Sequence, residues 1–264
     1  MTTFTDRFRV AMLPLDIAPA DKQANFNAVE RALTTLPAGT DLVVLPELFS
    51  TGFVDDDAAM RSLAERNTQE TIDRVKAWAA RCSCAIAGSF LAFTAPSLYN
   101  RGFLVEPAGE ETFYDKHHLF TPSREARLMK PGLEPVPVVR FRRWNIALAV
   151  CYDLRFPAWL RNRGARYDML VLPANWPESR GFAWKQLVSA RAIENQCAVV
   201  GADRGGSDAF GTYDGMTIAC NCLGERVEKT SPDSLWVIAD FSKDAQDAYR
   251  SKFPALGDAD EFTL

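Results

Sequence analysis

Residues 41–47 read DLVVLPE and residues 168–175 read DMLVLPAN. Each is a short continuous apolar run ending in proline, with a polar residue close behind. That is the pattern of a strand buried on both faces, not of one with a face in water. The runs start 127 positions apart, at 41 and 168, which points to two pseudo-symmetric halves that each contribute a sheet. Around them, apolar runs alternate with helical periodicity along the chain. Strands are expected at 9–16, 84–90, 98–106, 145–150 and 198–202, with 112–115 as the second arm of a hairpin turning through PAGE at 107–110. Helices are expected at 21–36, with Phe26, Val29, Ala32 and Leu33 on one side, and at 68–81, with Ile72, Val75, Trp78 and Ala79 on one side. A short helix should open at Pro157 and run to 163. Longer ones are expected at 181–195 and near 243–252, and strands at 213–219, 225–230 and 235–240 finish the sheets. The alternation argues for an α/β fold with helices outside two sheets. No Ser/Gly linker or charge block divides residues 1–264, so one domain is expected.

The 264 residues are 47% hydrophobic and 24% charged, enough for a sizeable core. Thirty basic against 34 acidic side chains leave a net charge of -4, which argues against nucleic acid or an anionic membrane as the main partner. The opening MTTFTDRFRVAMLPLD has no long apolar stretch, and no run approaches the ~18 apolar residues of a membrane span. Six cysteines fall as two C-x-C pairs (Cys82 and Cys84, Cys220 and Cys222) and two singles, Cys151 and Cys197. The two histidines, His117 and His118, are adjacent. Zinc sites use wider ligand spacings, so no metal is expected. Free thiols in a reducing cytoplasm fit this usage.

Polar residues at the carboxyl ends of buried strands are where an α/β fold places its chemistry. Glu47 follows VVLP, Cys151 follows IALAV, Asn175 follows VLPA, and Lys116 ends TFYD. A thiol at a sharp strand-to-helix turn gains a lowered pKa from the helix N-terminus and nearby peptide N–H groups for an oxyanion. The alternative is a small buried hydrophobe, the reading kept for the other five cysteines. Glu47 behind an apolar run should have its pKa raised by desolvation, as a general base needs. Its alternative is a loop carboxylate. Lys116 taken alone reads equally as a solvated strand-end lysine.

Together, LPELF, YDKHHLF and VCYDLRFP, in this order, resemble the nitrilase superfamily of carbon–nitrogen hydrolases. Sixty-nine positions separate residues 47 and 116, and 35 separate 116 and 151. The resemblance runs over nearly the whole chain, including ARAIEN at 190–195 and KFPALGDADEF at 252–262, and is greatest to the omega-amidase branch. It implies a four-layer α-β-β-α sandwich and a Glu-Lys-Cys triad of Glu47, Lys116 and Cys151. It also implies a second glutamate before a Pro-Gly, matched by Glu125, and an oxyanion donor in the Tyr152 peptide N–H. The implied substrate is a small carboxylate-bearing amide such as 2-oxoglutaramate or 2-oxosuccinamate, with no metal or organic cofactor. Dimers or higher homo-oligomers would pack through the helices at 157–163 and 181–195. By position, Arg155 and Arg204 are candidates for the substrate carboxylate, Asn175 and Trp176 for the pocket wall, and Phe120 for its cover. Three alternatives stay open at this point. They are another superfamily activity (nitrilase or carbamoyl-amide hydrolase), a Cys-His hydrolase using His117 or His118, and a non-catalytic scaffold.

Overall fold

A computed structural model describes residues 6–66 and 69–263 of the chain. Two sheets stack face to face. The first contains β1 (Arg7–Met12), β2 (Leu42–Val44), β3 (Ala85–Thr94), β4 (Ser97–Val105) and β5 (Glu111–Asp115). The second contains β6 (Val138–Phe141), β7 (Trp144–Leu148), β8 (Met169–Ala174) and β9 (Ala198–Asp203). A hairpin of β10 (Gly205–Asp208) and β11 (Gly211–Asp214) stands apart, β12 (Ile218–Cys220) closes the second sheet, and β13 (Val237–Ser242) returns to the first. The strand orders are β13-β1-β2-β3-β4-β5 and β12-β9-β8-β7-β6. The helices are α1 (Lys22–Leu33), α2 (Asp57–Leu63), α3 (Glu70–Cys82), the one-turn α4 (Glu125–Leu128), α5 (Gly181–Asn195) and α6 (Lys243–Lys252).

The two echoing sequence runs become equivalent strands. β2 is the middle of the parallel triplet β1-β2-β3, and β8 the middle of β7-β8-β9. Even their leading aspartates do the same work. Asp41 accepts the Arg9 peptide N–H at 2.7 Å and Asp168 that of Asn145 at 3.0 Å, each tying the start of its strand to the neighbour.

The layers arise from the alternation of side chains. Val10, Met12, Val44 and Ala87 of the first sheet meet Ile146, Leu148, Met169 and Val171 of the second. On the outer face of the first sheet, Ala11, Val43 and Ile86 are covered by Phe26 and Val29 of α1 and Ile72, Val75 and Trp78 of α3. Trp184, Val188 and Ala192 of α5 join the core beside Leu170, Leu172 and Val199. The result is the α-β-β-α sandwich.

α5 can approach this closely because β9 carries Gly201. A Cβ there would lie 2.5 Å from Cζ2 of Trp184, whose indole is fixed by a 2.6 Å bond to the Met216 carbonyl. Gly201→Ala should therefore lower stability by about 1–3 kcal/mol through overpacking. An unchanged denaturant midpoint would show that the tryptophan shifts freely.

Several expected elements differ. No α-helix runs from 157 to 163. A 3₁₀ turn occupies Cys151–Arg155, and a second, Arg163–Ala165, comes after tight turns. Pro157 supplies no N–H and disfavours helical geometry at Phe156, which takes φ -114° and ψ 87°. The strand expected at 213–219 is split at Gly215, whose φ is +67°, into β11 and β12. Residues 225–230 make only isolated bridges, Arg226 with Cys220 and Lys229 with Ile238. The expected helix start at Thr68 lies outside the described residues. The strand expected from 84 starts at Ala85, because Cys82 ends α3 and the left-handed Ser83 turns the chain between them.

Candidate active site

The carboxyl ends of β2, β5, β7 and β8 converge at one end of the sandwich, between the sheets. Glu47 stands three residues beyond β2, Lys116 directly after β5, Cys151 three residues beyond β7 and Asn175 directly after β8. They line one cavity of about 640 Å³ together with Glu125, Tyr152, Arg155, Trp176 and Phe120. Glu47, Lys116, Glu125 and Cys151 are each no more than 6% exposed.

Lys116 is the hub. Its Nζ donates to Glu47 Oε1 at 2.8 Å and to both oxygens of Glu125 at 2.9 Å. Glu47 Oε2 accepts the Asn175 peptide N–H at 2.9 Å, and Glu125 Oε2 that of Phe120 at 2.7 Å. The Pro-Gly after Glu125 has a steric cause. The Gly132 N–H donates to the Lys116 carbonyl at 3.0 Å, and a Cβ on Gly132 would lie 2.1 Å from the Asp115 carbonyl oxygen.

Asn100 of β4 completes the cluster and was missed in the sequence. Its amide donates to Glu47 Oε1 at 2.7 Å and Glu125 Oε1 at 3.0 Å, while its own oxygen accepts the Ser89 hydroxyl at 2.9 Å. The signal was an amide on the strand face that alternation turns toward the second sheet, with Leu98 and Gly102 as its neighbours.

Burial pushes the Glu47 carboxyl up, and the Glu125 charge adds to this, against the opposing pull of Lys116. Burial alone would lower the Lys116 ammonium, but the two facing carboxylates outweigh it and raise its pKa. Cys151 overturns one expectation. Its thiol stands well above the ordinary range, pushed there by burial and the nearby Glu47 charge, with Lys116 pulling the other way. The expected help from a helix dipole is small because Cys151 opens only a single 3₁₀ turn, with few aligned peptides. Cys151 itself has φ +44°, a sharp left-handed turn that sets the thiol toward the cavity.

The two histidines face elsewhere. His117 Nδ1 meets the Gly132 carbonyl at 2.6 Å and its ring stacks on Trp159, while His118 Nδ1 meets Asp153 Oδ1 at 2.9 Å and its ring stacks on Phe156. Neither lines the cavity. Arg204 is also a correction. Its buried guanidinium binds Asp208 at 2.7 Å, the Ile17 carbonyl at 2.9 Å and the Gly205 carbonyl at 3.0 Å. It stays outside the cavity lining and instead lies 4.5 Å under the ring of Tyr213, which does line it. Arg155 faces the cavity, with its guanidinium 4.8 Å over Trp176. Among the described residues no group of three or more His, Cys, Asp or Glu is placed to hold a metal ion. No helix among them is long and apolar enough to cross a membrane.

Residues 9–250 match the carbon-nitrogen hydrolase family. The chain belongs to that family. This carbon–nitrogen hydrolase is 41% identical over 258 residues to the omega-amidase YafV of Escherichia coli strain K12, covering 97% of this chain and 98% of the relative. It is 27% identical over 255 residues to the 2-oxoglutaramate amidase of Bacillus subtilis strain 168, covering 96% and 97%. Among solved structures it resembles XC1258 from Xanthomonas campestris, a CN-hydrolase superfamily protein with an arsenic adduct in its active site. The TM-score is 0.91 at 33% identity, covering 98% of this chain and 99% of the other. Yeast Nit3, of the nitrilase superfamily, shares the fold at a TM-score of 0.80 and 22% identity, covering 94% of each chain.

Proposed function

We propose that this carbon–nitrogen hydrolase is an omega-amidase, releasing ammonia from a small carboxylate-bearing amide such as 2-oxoglutaramate or 2-oxosuccinamate through a thioester on Cys151. One observation carries the reading: a buried ammonium, held between two carboxylates, shares a cavity with a buried thiol. The relatives named omega-amidase and 2-oxoglutaramate amidase support the substrate class.

In this proposal Glu47, whose raised pKa suits a base at neutral pH, takes the Cys151 proton as the sulfur attacks the amide carbon. Burial and the Glu47 charge both favour the protonated thiol, so in this proposal its proton leaves in concert with attack and not beforehand. Lys116 and the Tyr152 peptide N–H, one of those that a helix start leaves without an intrahelical acceptor, receive the developing oxyanion. Glu47 then passes its proton to departing ammonia. With the ammonia gone, the same carboxylate draws a proton from water as its oxygen attacks the thioester carbon, and returns that proton to the sulfur as the C–S bond breaks, leaving the acid, the free thiol and the carboxylate. Glu125 and Asn100 hold Lys116 and Glu47 in register throughout. A free thiol nucleophile suits a reducing compartment such as the cytoplasm.

Arg155 takes the substrate carboxylate in this reading. Among the described residues no acidic group pairs with its guanidinium, which the Trp176 ring holds in place. Arg155→Gln should raise KM for a 2-oxo-acid amide by about 10–100-fold, the worth of a charge-assisted bond. A plain aliphatic amide should suffer much less, and equal losses on both would assign the arginine a structural role. The activity itself is tested by ammonia release from 2-oxoglutaramate, 2-oxosuccinamate, glutamine, asparagine and a small nitrile. Preference for the nitrile or a free amino acid would overturn the proposal.

A further inference from the structure

Arg180 breaks the local rules at the start of α5. The residue before a helix favours Ser, Thr, Asp or Asn, whose side chains accept a free peptide N–H. Arg180 makes no such cap, and α5 itself holds no acidic residue in its first turn, the nearest being Glu178 at the start of the 3₁₀ turn Glu178–Arg180 that leads into it. A cation at that end opposes the field of a 15-residue helix. The fold does not use the charge either, because no carboxylate or carbonyl among the described residues pairs with the guanidinium. It lies instead 5.0 Å over the ring of Phe120.

The main chain at Arg180 is held firmly, its N–H donating to the Pro177 carbonyl and its carbonyl accepting the Trp176 indole N–H, both at 2.9 Å. That places it in a closed collar. Arg155 sits over Trp176 and 6.0 Å from the Tyr152 ring, Tyr152 meets Phe120 edge-on at 5.1 Å, and Phe120 carries Arg180. Both arginines line the cavity that holds Cys151. Asn175, next to Trp176 in the chain, lines it too. Asn175 is only 8% exposed, yet neither its amide nitrogen nor its amide oxygen has a partner among the described residues. Such an orphaned buried amide calls for a polar ligand.

We propose that Arg180 is a specificity-determining residue which, with Arg155, grips the substrate's carboxylate, leaving the Asn175 amide to serve the adjacent 2-oxo oxygen. This rests on the carboxylate-amide reading above. The collar explains why a helix start keeps a cation against its own dipole: the unpaired charge is reserved for an anion. The matching substrate class is a small anion whose amide reaches Cys151 while its charged end stays at the aromatic mouth.

The test compares 2-oxoglutaramate with a neutral amide of equal length for the wild type, Arg180→Gln, Arg180→Lys and Arg180→Asn. The kcat/KM ratio of anionic to neutral substrate should fall about tenfold in Arg180→Gln, chiefly through KM, as one charge-assisted contact predicts. Arg180→Lys should keep most of the ratio. Arg180→Asn should lose it as Arg180→Gln does. A wild-type preference that survives unchanged in Arg180→Gln overturns this inference alone. A wild type with no preference for the anionic amide overturns both the inference and the functional reading.

Discussion

Cys151→Ala should abolish ammonia release, by at least ~10⁴-fold, while leaving the fold nearly intact. The proposed mechanism has no other group that can form an acyl intermediate, and the two histidines that could activate a different nucleophile are bonded outside the cavity. Cys151→Ser should fail almost as completely. A hydroxyl is harder to deprotonate than a thiol, and the base facing it is one carboxylate whose raised pKa is already set for sulfur. Neither substitution adds volume at this 6% exposed position, and neither residue is more strained than cysteine at φ +44°. Circular dichroism and ammonia assays on the two variants provide the check. Substantial turnover in folded Cys151→Ala would remove Cys151 from the nucleophile's role.

The layered fold was legible because the central strands of both sheets are buried on both faces, which makes them continuous apolar runs. DLVVLPE and DMLVLPAN carried most of that signal, and each became the middle strand of a parallel triplet. Where local sequence failed, backbone punctuation or long-range packing decided the outcome. Pro157 opened no helix, because side chains pin the segment after it to the end of α5. The Asn195 side-chain oxygen accepts the Asn162 N–H at 2.9 Å, and the Asn162 amide donates to the Tyr167 carbonyl at 2.9 Å. These contacts replace helical bonds with a compact turn. Gly215 split what reads as one strand, a break that periodicity alone does not register.

At the site, residues at strand ends were visible one at a time and gained force only from their order. The structure brings Glu47, Lys116, Glu125 and Cys151 into one buried cluster. Two features were not readable in advance. Arg204 and Arg155 both looked like cations near strand ends, but Asp208, four residues on, neutralises the first and draws it into the fold. Asn100 lies inside a strand with no motif around it. Its importance appears only when the first sheet places it between two glutamates distant in sequence. The thiol's pKa also went against expectation, because desolvation and a neighbouring carboxylate together outweigh a short turn's dipole and one ammonium.

The electrostatics of that cluster separate the two glutamates. Glu47→Gln keeps the shape and one acceptor but can neither carry the Cys151 proton nor activate water, so turnover should fall by at least ~10²–10⁴-fold. Thiol reactivity should fall with it, because burial keeps the thiol protonated and the base that takes its proton during attack is gone. Alkylation of Cys151 near neutral pH, followed on its own peptide because Cys82 is partly exposed, should be slower than in the wild type. Glu125→Gln acts differently. The Glu125 charge is one cause of the raised Glu47 pKa, so neutralising it lowers Glu47 toward the ordinary carboxylate range. The acidic limb of kcat/KM should then move to lower pH. kcat should fall without vanishing, because the remaining base is weaker and Lys116 keeps only one of its two acceptor oxygens at position 125, without the charge. Single-turnover kinetics across pH, with alkylation rates on both variants, tests the whole scheme. If Glu47→Gln turned over normally while Glu125→Gln did not, the proton carrier would be Glu125, and Glu47 would be the residue that merely holds the lysine.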